Sequence, residues 1–380
     1  MMTSRERVVS ALAHRENEVP LDIGGSIVTS IAACTYERLL RLLGIDAPVC
    51  IRNIHSQTAE IDEAVFEALG VDTRPTDIFD PSGFRIDIIT QDGIRRYRDE
   101  WGITYSMPVG GQSGFTLIES PLARADSIGD IEGHDWPDGT DGSRFAGLQK
   151  KARDLAEVRK VGVILETNIG GVLEWPCALR GTENFYMDLA DNAALAEALI
   201  EKVVEYKIDF WTAALRDAGE YVDIVRESDD LGGQRGLLIS PDMYRRYIKP
   251  AQKRIFDTIR RHTDAAISLH SCGSIKEIIP DLIEIGVTVL NPVQIGAYGM
   301  DPETLKREFG KDLVFWGGGC DSQKVLPYAS PEQVKDSVKR SIEVLSRGGG
   351  YICAPINMIQ NDVPAENIIA FAEAVAEWRE

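Results

Sequence analysis

The sequence predicts an α/β fold built as a closed (β/α)8 barrel, and two observations predict it. Apolar runs of strand length alternate with amphipathic helices from residue 161 onward, and strands without polar alternation belong to a parallel sheet covered on both faces. The count supplies the rest. VPLDI, TDIF, VGVILE, VDIVRES, AAISLHSC, VTVLNPVQ, LVFWGG and YICAP make eight strands, and eight βα units close a barrel of TIM type. A doubly wound open sheet is the alternative, but no G-x-G-x-x-G opens a helix after a strand.

The elements follow in order. Thr3–His14 reads as an N-terminal helical extension, capped by Thr3 or Ser4, with Val8, Val9 and Leu12 at helical spacing. VPLDI enters a glycine turn, and helices around YERLLRLLG and TAEIDEAVFEALG lead to TDIF. Residues 84–108 alternate apolar and polar side chains about a Gln-Asp-Gly turn, which predicts a β-ribbon insertion and not a barrel strand. The later strands are each followed by a helix, among them ALAEALIEKVVEYKIDFWTAAL, DMYRRYIKPAQKRIFDTIRRH and PEQVKDSVKRSIEVLSRG. The whole chain, 1–380, is expected to be a single domain, with 1–160 its divergent part.

Bulk composition narrows the function. A net charge of −19 argues against nucleic acid, because phosphate binding needs a basic face. No run approaches the ~18 consecutive apolar residues of a membrane span. The start, MMTSRERVVSALAHRE, is too polar for a signal peptide, so a cytoplasmic location is expected. The six cysteines are scattered, which fits reduced thiols better than a disulfide framework.

Polar residues gather where the apolar runs end, and in a barrel of this kind chemistry sits there. Glu166 and Asn168 end VILETN, while Glu227, Asp229, Asp230 and Gln234 lie in VRESDDLGGQ. His270 and Cys272 end LHSC, Asn291 lies in LNPVQ, Cys320 follows FWGGG and Asn357 follows CAP. Residues two apart on a strand share a face, so the His270 imidazole and Cys272 thiol can converge on one ion. Zinc accepts both, and a catalytic site needs three protein ligands with the fourth position open. A histidine hydrogen-bonded to a carboxylate beside a buried cysteine is the plainer reading. A thiol nucleophile is disfavoured, because the spacing aims both groups at a third centre. Cys320 is favoured as third ligand by its height along the barrel. Cys353 starts its strand and so lies deeper, at about 3.3 Å per residue. Glu166 and Glu227 remain carboxylate alternatives.

Three stretches carry a family likeness: LHSCGSIKEIIPDLIEIGVTVLNPVQ, FWGGGCDSQKVLPYASPEQVKDSVKR and GGGYICAPINMIQNDVPAENIIA. They resemble the uroporphyrinogen decarboxylase-like superfamily, in its corrinoid-linked methyltransferase branch. LRGTENFYMDLADN and ESDDLGGQRGLLISPDMYRRYIKP extend the likeness over about residues 160–375. The resemblance implies a TIM barrel, zinc, a corrinoid carried by a partner protein, and a small methoxy, methylamine or thiol compound as methyl donor or acceptor. His270 and Cys272 match its zinc motif, with Cys320 expected to complete the set. Glu227, Asp229 and Asp230 are expected to handle protons or orient substrate. Glu166, Asn168, Gln234, Asn291 and Asn357 are expected to bind it, and a homodimer is compatible with this reading. Two departures stand out: the Arg-Gln-Ala-Gly-Arg stretch of true uroporphyrinogen decarboxylases is missing, and Asn357 occupies the position of the motif's last cysteine. A metal-independent decarboxylase or lyase, and a corrinoid- or ligand-binding module without turnover, are the alternatives.

Overall fold

The computed structural model describes residues 2–15, 18–76, 78, 80–111, 114–167 and 169–380. Seven parallel strands form one sheet: Thr73–Pro75, Gly162–Glu166, Ile224–Ser228, Ala266–His270, Val289–Asn291, Val314–Trp316 and Tyr351–Ile352, each beside the next. The VPLDI segment closes the ring as the first strand. Asp22 N–H donates to Cys353 O at 2.8 Å and Cys353 N–H to Pro20 O at 2.9 Å. On its other side Asp72 N–H donates to Leu21 O at 2.8 Å. The expected (β/α)8 barrel is therefore present, with every edge paired.

The second strand corrects the reading at TDIF. It lies just before, at Thr73–Pro75, pairing with Gly162–Ile164. Thr76 adds one more bond, its N–H to Ile164 O at 2.9 Å, and Asp77 and Phe79 lie outside the described residues. An apolar-run criterion passes over this strand because it carries Thr73 and Arg74, whose polar ends are satisfied by Asp22 and Glu63.

The barrel interior is layered. Ile164, Ile224, Val289, Val314 and Ile352 make an apolar floor with Val8 and Ala11. The last two belong to the helix Ser4–Leu12, which plugs the N-terminal end of the barrel. Thr3 and Glu6 cap it reciprocally, at 3.2 and 2.7 Å. The fit is close: a Cβ on Gly162 would stand 2.8 Å from Val8. Outside the strands run the helices Ala193–Ala218, Lys249–His262, Pro302–Phe309, Pro331–Leu345 and Ala365–Arg379. Among the described residues no helix is long and apolar enough to cross a membrane.

The expected ribbon is larger than its sequence signal. Ile89–Gln91, Ile94–Arg98, Thr104–Pro108 and Thr116–Glu119 form a four-stranded antiparallel sheet. Its first turn is made by Asp92 and Gly93, both at positive φ (51° and 73°), as a two-residue hairpin requires. Its buried face stacks Tyr97 on Tyr105 at 5.0 Å.

Candidate active site

His270 is the last residue of its strand, in register with Ser228 on one side and Asn291 on the other. Its Nδ1 lies 2.5 Å from Asn291 Oδ1. The Asn291 amide is oriented by its other end, because Nδ2 donates to Trp316 O at 3.0 Å. Asn291 therefore presents an acceptor, His270 carries its proton on Nδ1, and Nε2 carries the lone pair that can bind a cation.

Around that nitrogen stand two further ligand groups. Cys272 Sγ is 3.5 Å from His270 Nε2, and Asp230 Oδ1 is 3.9 Å from it. The ligand atoms of Asp230, His270 and Cys272 all lie within 4.8 Å of one another. Asp230 is fixed by the Cys272 backbone N–H, which donates to Oδ1 at 2.8 Å, and Asn357 Nδ2 approaches Cys272 Sγ at 3.5 Å. The turn that carries Cys272 needs glycine next: Gly273 has φ +84°, and a Cβ there would stand 2.3 Å from Gly232 O. Its N–H donates to Gln294 Oε1 at 2.6 Å, which ties the turn to the sixth strand.

The surroundings of these groups set their charge. Burial lowers the His270 pKa and keeps the imidazole neutral, as a metal ligand must be. Burial, reinforced by the Asp230 carboxylate, pushes the Cys272 thiol up, so it stays protonated until a cation displaces its proton. Glu174 faces the same mouth. Solvent reaches it, yet the walls around it desolvate its carboxyl, and with Asp230 and Asp229 adding repulsion its pKa rises to about 7. Glu174 was not among the sequence-derived candidates. Its signal is the Gly170–Gly171 pair, where a Cβ would stand 2.8 Å from Glu174 Oε2 and 2.1 Å from the Asp229 carboxyl carbon.

The other expected site residues are placed as follows. Glu227 does not reach the mouth. It lies on the opposite face of its strand from Arg226 and Ser228, buried against the helix Ala193–Ala218. There it accepts from Lys207 Nζ at 2.6 Å and from Trp211 Nε1. Asp229 is taken up by structure, accepting from Leu173 N–H (3.1 Å), Glu174 N–H (3.0 Å) and Gln252 Nε2 (3.0 Å), and burial pushes it up to about 6. Glu166 faces the interior and accepts from Ser26, Ile27 N–H, Arg52 and Arg226. Gln234 is exposed and offers its backbone oxygen to Tyr298 N–H at 3.0 Å. Asn168 lies outside the described residues.

Cys320, the expected third ligand, does not join the cluster, and Asp230 stands there instead. Cys320 is fully buried in the apolar core close to Cys353, where burial pushes its thiol up. Gly317 and Gly318, at φ +106° and +72°, turn the chain so that strand alternation no longer carries past Trp316. Gly319 then packs under the helix Ala365–Arg379, where a Cβ would stand 2.3 Å from Phe371. A separate groove of about 500 Å³, lined by Ile208, Arg254, Asp257 and Arg261, opens on the outer helices away from these strand ends.

Fold and mouth together define a (β/α)8-barrel protein with a candidate three-ligand metal centre at the C-terminal ends of its strands. The chain belongs to the uroporphyrinogen decarboxylase (URO-D) family, whose profile matches residues 102–378, as the three stretches quoted above implied. A methyltransferase from Methanosarcina mazei has the same fold, with a TM-score of 0.69 and 18% identity over 100% of both chains. A methionine synthase from Methanothermobacter thermautotrophicus is 27% identical over 99 residues. That match takes in 26% of this chain and spans about a third (32%) of the synthase.

Proposed function

We propose that the protein is a methyltransferase that moves a methyl group between a small molecule and the corrinoid of a partner protein, with zinc at Asp230, His270 and Cys272. The observation that carries this reading is the convergence of carboxylate, imidazole and thiol within 4.8 Å at the mouth of a URO-D family barrel. The donor set suits zinc: one nitrogen, one sulfur and one oxygen leave a fourth position for substrate. The methyltransferase of the same fold and the partial match to a methionine synthase support the same chemistry.

Zinc held there supplies Lewis acidity, lowering the pKa of a bound thiol or polarising a methoxy or amine leaving group. The chain's own groups do the rest. Asn291 holds the His270 ring with Nε2 facing the centre. Asn357 Nδ2 steadies the Cys272 sulfur at 3.5 Å. Glu174, a carboxyl at the same mouth whose pKa burial pushes up, can pass a proton to or from the reacting heteroatom. The partner's corrinoid approaches as co-substrate from the open end of the barrel.

Metal analysis and a transfer assay test this together. Purified protein should contain stoichiometric zinc that His270→Ala and Cys272→Ala each remove. It should also methylate cob(I)alamin from one of a panel of methoxy, methylamine and methylthio compounds. Full zinc in the doubly substituted protein would overturn this ligand set, and carbon dioxide release without methyl transfer from a zinc-free protein would replace this reading with the metal-independent decarboxylase.

A further inference from the structure

Below the ligand cluster, the barrel interior holds a second polar layer that zinc chemistry does not use. Glu166 accepts from Arg226 Nε at 2.8 Å and from Arg52 Nη2 at 2.7 Å. It also accepts from Ser26 Oγ at 2.7 Å and from Ile27 N–H at 3.0 Å, so this carboxylate is saturated. Each guanidinium nevertheless keeps a buried Nη1 with no partner among the described residues. Ser268 Oγ, on the next strand and in register with Arg226, is likewise buried and unpartnered. Asp22 is not available to them: its oxygens accept from Thr73 Oγ1, Gly25 N–H and Trp316 Nε1.

Buried donors left unpaired are costly, and a buried cation without a counter-ion more so. Two arginines against one glutamate leave a net charge of one. Arg226 is only 2% exposed, whereas the Arg52 side chain is 18% exposed and links this layer to the mouth. The layer also adjoins the ligand cluster. Ser268 precedes His270 by two residues on the same strand face, and the His270 ring feels both Arg226 and Glu166.

We propose that the methyl-bearing substrate is a small monocarboxylate, its carboxylate held by Nη1 of Arg52 and Nη1 of Arg226 beside Ser268 Oγ. Two planar guanidinium edges suit the two oxygens of a carboxylate, and one negative charge matches the one left over. The other end of such a molecule then faces Asp230, His270 and Cys272. The word substrate rests on the methyltransferase reading; the anion site does not.

Calorimetric titration of the full chain tests it with benzoate, benzamide and inorganic phosphate as probes. Benzoate should bind at least tenfold more tightly than uncharged benzamide, and phosphate, with its extra charge, more weakly than benzoate. Arg52→Gln should weaken benzoate at least tenfold with zinc content unchanged. Ser268→Ala, which removes only an unpartnered hydroxyl, should keep the fold and weaken benzoate a few-fold. Equal binding of benzoate and benzamide, no binding of either, tighter binding of phosphate, or an Arg52→Gln protein with unchanged affinity would each overturn the proposal and assign these donors to buried water. Transfer is scored separately. Benzoate binding without methyl transfer sinks only the methyltransferase, whereas equal transfer from methoxybenzene and methoxybenzoate sinks only the carboxylate.

Discussion

Asn291 shows how one side chain can matter without touching a substrate. It was expected to bind substrate, and the structure instead sets it behind His270, at 2.5 Å from Nδ1. Removing such a partner frees the ring and typically weakens a metal site by about 10–100-fold. Asn291→Ala should therefore lower zinc affinity by about that factor in chelator competition, while Asn291→Asp, which keeps an acceptor at Nδ1, should lose much less. Unchanged affinity in the alanine variant would mean that the ring is held by packing alone. Cys320 gives the opposite expectation. Being fully buried away from the mouth, it should yield to serine at a cost of about 1–2 kcal/mol with zinc retained, whereas Cys272→Ser should release the metal. Zinc loss on Cys320→Ser would reinstate the thiol as ligand.

At the scale of an element, the inserted sheet carries a titratable feature of its own. Asp99 sits at the turn between Ile94–Arg98 and Thr104–Pro108, its Oδ1 accepting from Trp101 N–H at 3.0 Å and Ile103 N–H at 2.8 Å. Burial pushes its carboxyl up from 3.8 to about 6. Between those values the folded chain binds a proton that the unfolded chain has released, so stability falls as pH rises from about 4 through 6. Asn at this position keeps the Oδ1 acceptor and removes the titration. Asp99→Asn should therefore gain on the parent by an amount on the order of 2 kcal/mol between pH 4 and pH 7, read by denaturant unfolding at each pH. A stability difference that stays flat across that range would show that the carboxylate is solvated.

For the molecule as a whole, Asp72 is the junction that closes the barrel floor. Its buried carboxylate accepts from Arg7 Nη2 at 2.8 Å, from Arg379 Nη2, and from Leu21 N–H at 2.8 Å. The first helix, the first strand and the last helix are thus tied at one point, just before the second strand. Asp72→Ala removes the carboxylate partner of Arg379, leaves Arg7 with Glu18 as its counter-ion, and strips the Leu21 N–H of its acceptor, which should cost about 3 kcal/mol. The melting temperature should drop by several degrees, while zinc content measured well below the transition stays the same, because the cluster lies at the opposite end of the strands. A variant that melts like the parent would place the closure of the barrel in the strand hydrogen bonds alone.

The sequence by itself determined the barrel, the N-terminal helix, the inserted ribbon and the shared strand face of His270 and Cys272. Each of these is written in a local period, two residues for a strand face and 3.6 for a helix face, or in the family's own stretches. What only the tertiary structure decided is which groups meet across strands. Register sets Asn291 beside His270, and helix packing brings Lys207 to the outward-facing Glu227; neither contact follows from its own segment. Loop paths set the rest. Two glycines at positive φ divert Cys320 into the core, the turn at Gly273 brings Cys272 N–H to Asp230, and the Gly170–Gly171 pair lets Glu174 approach. Height along a strand is additive and can be counted from the sequence. Convergence at a mouth depends on register and on the turns between strands, and these are fixed only when the barrel closes.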